Sequence, residues 1–201
     1  MDERIIISKI EDYVATLFSK DATGHDYYHM KRVATVARKI AIEENADIFI
    51  SEAAGWLHDV GDRKLFDDPN AAKQDMINKL TSWGVGQEVI AQILLAIDDV
   101  SFSKGHVKPV TLEGKLVQDA DRLDAIGAIG VARTFAYGGF NNRLIHTEEK
   151  QEQATATIQH FYDKLLLLKD LMNTDSAKRL AEERHRFMLE FLQQFYKEWD
   201  C

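Results

Sequence analysis

His58 and Asp59 stand side by side at the end of the mostly apolar segment 53–57, and Asp62 follows three residues later. This pattern predicts an apolar helix that ends at the pair. Ionisable groups on such a helix cost free energy unless something balances them. Because neighbouring side chains do not face each other on a helix surface, His58 and Asp59 are not expected to pair with one another. Both can lean toward one divalent metal ion at the helix end, which is the first hypothesis.

Two other segments carry side chains that can bind a metal ion. They contain His25 and His29, spaced i and i+4, and the aspartates Asp119, Asp121 and Asp124 within an apolar helical pattern. Imidazole together with carboxylate suits zinc, manganese, iron, cobalt and nickel. His29, His58 and Asp59, with one of the three aspartates, would leave positions open for water and a substrate oxygen, which is typical of a catalytic site. Spacing alone does not choose among the aspartates, and surface salt bridges are the alternative role for Asp119 and Asp124.

A metal ion in such a site polarises a phosphoryl oxygen and lowers the pKa of its bound water. The Asp62 carboxylate could take or return a proton. Arg63 and Lys64, in the loop beside it, are predicted to contact phosphate oxygens, with a solvated charged loop as the alternative. Arg133 lies in an apolar segment, where a buried charge needs a partner, and a substrate phosphate or an aspartate would serve.

The order His29, His58-Asp59 and Asp121 resembles the H…HD…D motif of the HD superfamily of metal-dependent phosphohydrolases. The resemblance covers about residues 20–140 and is most specific in segments 54–62 and 118–127. The flanking sequence also resembles that of the small single-domain bacterial HD hydrolases, the YpgQ-like group. It implies an α-helical domain, one divalent ion held by these four residues, and hydrolysis of a phosphate bond in a nucleotide-like substrate. It selects Asp121 over its neighbours, and it gives Asp62 the place of an acid–base residue of related enzymes.

The resemblance leaves the metal and the reaction open. Manganese is the expected ion, with cobalt, nickel, iron, zinc and magnesium as alternatives, and His106 is the only histidine between the HD pair and Asp121, so a second ion is not expected. Release of pyrophosphate from a nucleoside triphosphate is the expected reaction. The alternatives are a 5′-nucleotidase, a cyclic phosphodiesterase and a non-catalytic module that senses a nucleotide through the same metal.

Composition limits the class of protein. The 201 residues are 45% hydrophobic, which fits a single domain spanning 1–201 with a substantial core. The net charge of −8 argues against binding to a nucleic-acid polymer. The single cysteine, Cys201, excludes an intramolecular disulfide, and no apolar run is long enough to cross a membrane. We therefore expect a cytoplasmic protein whose partner is a small nucleotide.

Apolar residues recur at helical spacing along the chain and predict an all-α fold. Helices are expected at about 3–20, from 26, from about 47 to the HD pair, and at about 71–83 and 89–98. One further helix, capped by Thr111, should run beyond Asp124 to about 137. Two long helices at about 148–198 should complete the core. Their aromatic stripes predict either core packing or the self-association face of a homodimer, and His146, His160 and His185 are expected at the surface or the core edge.

Overall fold

The computed structural model describes residues 2–19, 26–98, 100 and 107–199. Helices are the only regular secondary structure in these ranges, so the expected all-α class is confirmed. None of these helices combines the length and the apolar character that a membrane crossing would require. The chain divides into two compact units, residues 1–121 and 122–201. The division into a motif-bearing core at about 20–140 and a C-terminal completion at about 148–198 stays a prediction.

Within its described residues, the first unit contains five complete helices and the start of a sixth. These are α1 (Glu3–Phe18), α2 (Tyr27–Glu44), α3 (Ile48–Leu57), α4 (Pro69–Ser82), α5 (Gln87–Asp98) and α6 (Leu112–Asp124). Side-chain caps explain where several of them begin: Asp26, Asp47 and Asp68 each accept hydrogen bonds from backbone N–H groups in the first turn of α2, α3 and α4. Thr111 accepts from the N–H of Gly114 at 3.0 Å, as the sequence predicts for the start of α6.

Helix α3 lies at the centre of this unit, in contact with α1, α2 and α5. Nearly all of its side chains are buried, including Trp56 and Leu57. Gly55 allows α2 to approach closely, because a Cβ atom there would lie only 2.7 Å from the Cα of Ala34. The packing of α2 on α3 brings the first turn of one helix to the last turn of the other, where His29 and His58 stand.

The second unit begins at the end of α6 and contains a break that the sequence did not reveal. Ile126 is extended, with φ −124° and ψ 168°, and Gly127 has φ +75°. The predicted continuous helix to about 137 is therefore wrong, and a separate helix α7 (Gly127–Phe140) follows. Ile126 is buried, so the extended residue places an apolar side chain in the core while glycine supplies the left-handed conformation.

The rest of the second unit differs from the two long helices expected. The first of them is replaced by α8 (Lys150–Gln153), α9 (Gln159–Asp163) and a 3₁₀ helix (Leu165–Leu171), whereas α10 (Asp175–Trp199) is a long helix as predicted. The chain breaks before α9 because the N–H groups of Thr157 and Ile158 bind the carbonyls of Leu144 and Ile145, at 2.8 and 3.0 Å.

Aromatic side chains form part of the interior of the second unit. The rings of Phe161 and Phe191 stack with centroids 5.8 Å apart, and Phe135 lies about equally close to both, at 6.0 and 5.9 Å. Phe161 is completely buried. The aromatic stripes at these positions therefore contribute to the core, which is one of the two roles expected for them.

Candidate metal centre

Four side chains converge at the ends of three helices of the first unit. His29 belongs to the first turn of α2, His58 caps the end of α3 with Asp59 next to it, and Asp121 lies in the last turn of α6. His29 Nε2 is 3.8 Å from Asp59 Oδ2 and 3.5 Å from Asp121 Oδ1. His58 Nε2 is 3.5 Å from Asp59 Oδ2 and 3.9 Å from Asp121 Oδ1.

These separations suit ligands of a common ion. Two donor atoms that bind one six-coordinate ion at about 2.0–2.2 Å lie between roughly 2.8 Å apart, at adjacent positions, and roughly 4.4 Å apart, at opposite positions. The ligand atoms of His29, His58 and Asp121 all lie within 4.8 Å of one another, and Asp59 Oδ2 stands beside both imidazoles. The compact group of three can hold a metal ion, and the carboxylate of Asp59 can supply a fourth ligand.

The orientation of His58 favours this role. Its Nδ1 lies 2.8 Å from the carbonyl oxygen of Gly55, and because a carbonyl only accepts, Nδ1 carries a proton; in the neutral imidazole, Nε2 then presents the lone pair that a metal ion needs. Nε2 is buried, and within the described part of the chain no hydrogen-bond partner reaches it. Histidines that bind metals commonly donate their other N–H to a backbone carbonyl in this way. A metal ion at Nε2 would remove the cost of this orphaned polar atom.

Aromatic packing fixes the two segments that carry the histidines. The ring of Tyr27, at the start of α2, lies 5.8 Å from that of Trp56, near the end of α3. The Tyr27 hydroxyl donates a hydrogen bond of 2.5 Å to Glu11 Oε1, and this bond raises the pKa of Tyr27 above its ordinary value. The neutral phenol therefore keeps its proton and ties the first turn of α2 to α1.

The loop after the HD pair is held by backbone turns. Val60 N–H binds the carbonyl of Leu57, and Asp62 N–H binds the carbonyl of Asp59. The Asp62 side chain is partly exposed, and its Oδ1 accepts from the N–H of Lys64 at 2.8 Å. That contact caps the loop and occupies one of about four lone-pair sites of a carboxylate. The acid–base role of Asp62 stays a prediction.

The other residues that the sequence singled out have different surroundings within their own units. Arg63 and Lys64 are exposed in the same loop, so their contact with phosphate stays a prediction. Arg133 belongs to the second unit, where its guanidinium donates to Asp124 Oδ2 at 2.5 Å, so an aspartate is its partner. Asp119 and Asp124 are both buried, which excludes the surface salt bridges considered for them. His25 and His106 lie outside the described residues.

One cationic side chain near the loop was missed. Lys73 of α4 lies against Gly61, at a position that shows only the ordinary polar pattern of an amphipathic helix in the sequence. No local signal could have found it.

Comparison with known proteins shows which protein family the chain belongs to. The sequence model of the HD domain family matches residues 26–126, and the chain belongs to this family. It is an enzyme of the HD hydrolase superfamily, as the motif implied.

Similar proteins come from bacteria. YpgQ of Bacillus subtilis (strain 168) is 42% identical over 193 residues, which are 94% of this chain and 92% of YpgQ. The crystal structure of B. subtilis YpgQ in complex with ADP superposes with a TM-score of 0.85 at 40% identity, covering 98% of this chain and 97% of that one. An HD-superfamily hydrolase from Bacillus thuringiensis gives a TM-score of 0.83 at 41% identity over 99% of each chain.

Proposed function

We propose that this protein is a metal-dependent phosphohydrolase that releases pyrophosphate from a nucleoside triphosphate. The observation that carries the proposal is the convergence of His29, His58, Asp59 and Asp121 at separations of 3.5–3.9 Å. Two imidazoles and two carboxylates leave coordination positions for water and a substrate oxygen. Manganese is the ion we expect, because this mixture of nitrogen and oxygen donors suits it.

In this reaction, residues of the chain hold the metal ion, accept a proton and contact the phosphates. A divalent ion held by the four ligands would polarise a phosphoryl oxygen and lower the pKa of bound water. The hydrogen bond from His58 to the Gly55 carbonyl orients the imidazole so that Nε2 would be available to hold such an ion. Asp62, three residues beyond Asp59, takes the proton of the attacking water. Arg63 and Lys64 contact phosphate oxygens from the exposed loop.

The identity of the substrate is supported by a relative. B. subtilis YpgQ has been crystallised with ADP, a nucleotide that contains the bond between the α and β phosphates. Attack of water on the α phosphorus of a nucleoside triphosphate breaks that same bond and yields a nucleoside monophosphate and pyrophosphate. Such a substrate agrees with the expected cytoplasmic location.

The test is a panel of nucleotides assayed with defined metals. The chelator-treated protein is reloaded separately with Mn, Co, Ni, Mg or Zn and incubated with tri-, di-, mono- and cyclic nucleotides, and the products are separated as phosphate or pyrophosphate. Pyrophosphate from triphosphates, and none from an Asp59→Ala variant purified in parallel, is the expected result. Phosphate from monophosphates would replace the proposed reaction with that of a nucleotidase. Tight metal-dependent binding without turnover would replace it with nucleotide sensing.

A further inference from the structure

We propose that Lys73 of α4 binds the phosphate chain of the substrate beside the metal-binding cluster. The inference rests on the proposed function for the kind of substrate. It adds a residue that neither the motif nor the loop sequence identifies, and it is carried by the way the Lys73 side chain lies across Gly61.

Gly61 and Lys73 are in direct contact. Gly61 has φ +81°, and a Cβ atom built on it would lie 2.7 Å from Lys73 Cγ, 3.2 Å from Lys73 Cε and 2.8 Å from the Pro69 carbonyl oxygen. The aliphatic part of Lys73 therefore runs over the bare backbone of Gly61, in space that any other residue would fill. The Lys73 ammonium nitrogen is one bond of about 1.5 Å beyond Cε, so it lies within about 5 Å of that Cβ position.

Gly61 belongs to the loop that carries the chemistry. It follows the metal ligand Asp59 by two residues and immediately precedes Asp62. Because consecutive Cα atoms are about 3.8 Å apart, the Cα atoms of Gly61 and Asp59 are separated by no more than about 7.6 Å. The N–H of Asp62 is bound to the Asp59 carbonyl at 3.1 Å, which keeps this stretch tightly turned. In the proposal, the Lys73 ammonium reaches from Gly61 to the phosphates that extend away from the cluster.

The charge of Lys73 would offset the acidic surroundings of the site. The protein carries a net charge of −8, and Asp59, Asp62 and Asp121 lie in the site region, so an anionic substrate needs local positive charge beyond that of one metal ion. Lys73 is exposed, and no hydrogen bond or ion pair of its ammonium group is found among the described residues. By contrast, the ammonium of Lys31 is already paired with Glu11 at 3.6 Å. The charge of Lys73 is available for a ligand.

An exposed lysine is ordinarily a solvated surface group, and the packing distinguishes Lys73 from that case. Ordering a free lysine side chain costs up to about 2 kcal/mol of conformational entropy. The contact of Cγ and Cε with Gly61 restrains part of the side chain before any ligand arrives. Pre-ordering of this kind increases the affinity gained from each new contact.

The experiment compares two lysines of one helix in the full-length, manganese-loaded protein. Lys73→Met keeps the aliphatic packing on Gly61 and removes the charge, and Lys79→Met makes the same change at an exposed position in the last turn of α4. Binding of inorganic pyrophosphate is measured by calorimetry at two salt concentrations, with manganese content determined on the same samples. We expect Lys73→Met to weaken pyrophosphate binding about 10-fold to 100-fold and to reduce its salt dependence. Lys79→Met should match the wild type.

Other outcomes decide against the proposal. Pyrophosphate binding by Lys73→Met within twofold of the wild type would overturn it. Loss of manganese from Lys73→Met would overturn it too, because the lysine would then support the loop rather than bind phosphate. Lys73→Arg, which keeps the charge, should retain most of the affinity. The titration does not depend on turnover, so a wild type that hydrolyses no nucleotide would refute the proposed function and leave the test of Lys73 intact.

Discussion

Binding of a divalent ion should raise the thermal stability of this protein. His58 Nε2 is buried and has no hydrogen-bond partner within the described residues, and an orphaned polar atom of this kind costs about 1–3 kcal/mol. An ion that binds only the folded chain stabilises it by about 2.7 kcal/mol at 100 times its Kd. For a domain of this size each kcal/mol moves Tm by about 2–4 °C, so the melting temperature should rise by roughly 5–10 °C.

The assay is helix unfolding followed by far-UV circular dichroism. The chelator-treated protein is compared with the same protein at 100 times the Kd for manganese, and metal content is measured by elemental analysis. His58→Ala and Asp59→Ala should remain largely folded, lose the bound metal and the activity together, and lose the shift in Tm. Asp67→Ala serves as the matched control, because Asp67 is an exposed carboxylate in the same loop. Full manganese occupancy in purified Asp59→Ala, or an unchanged Tm shift, would refute the ligand assignment.

Three further predictions concern single residues. Asp62→Asn should retain its metal and lose turnover by about 10²–10⁴-fold, and wild-type turnover in the loaded variant would end the acid–base proposal. Gly55→Ala should reduce the free energy of unfolding by about 1–3 kcal/mol, because the new Cβ atom would lie 2.7 Å from the Cα of Ala34. Denaturant titration measures this change, and an unchanged midpoint of the unfolding transition would contradict it. Burial lowers the pKa of His160, so the unfolded chain binds its proton more readily and the stability present above about pH 6.5 is lost as the pH falls. His160→Gln should lessen that loss between pH 7.5 and 5.5, and an identical pH profile would show that His160 contributes nothing to it.

The sequence by itself determined the features that depend on neighbouring residues. Helical spacing of apolar residues predicted the all-α class, and Thr111 marked the start of α6 because an N-cap hydrogen bond spans only three residues. The HD pair was placed at the end of α3, where His58 is the C-cap. These predictions succeed because periodicity and capping are local properties of the chain.

The choice among the aspartates and the break after α6 depend on packing. Periodicity puts Asp119, Asp121 and Asp124 on one helix, and the resemblance to HD hydrolases was needed to prefer Asp121. In the structure Asp121 Oδ1 stands 3.5 Å from His29 Nε2, whereas Asp124 binds Arg133. The apolar pattern continues through Ile126, yet the chain there is extended with the Ile126 side chain buried, and Gly127 takes the left-handed conformation that ends the helix.

Lys73 shows most directly what tertiary structure alone decides. In the sequence it is one lysine of an amphipathic helix, twelve residues beyond Gly61. Its contact with Gly61 exists because the loop after Asp59 packs against the first turns of α4. The Pro69 carbonyl oxygen lies beside Gly61 there as well. The φ of +81° at Gly61 and the missing Cβ together make that approach feasible. A contact between side chain and backbone across a loop has no period in the sequence, so only the folded chain reveals it.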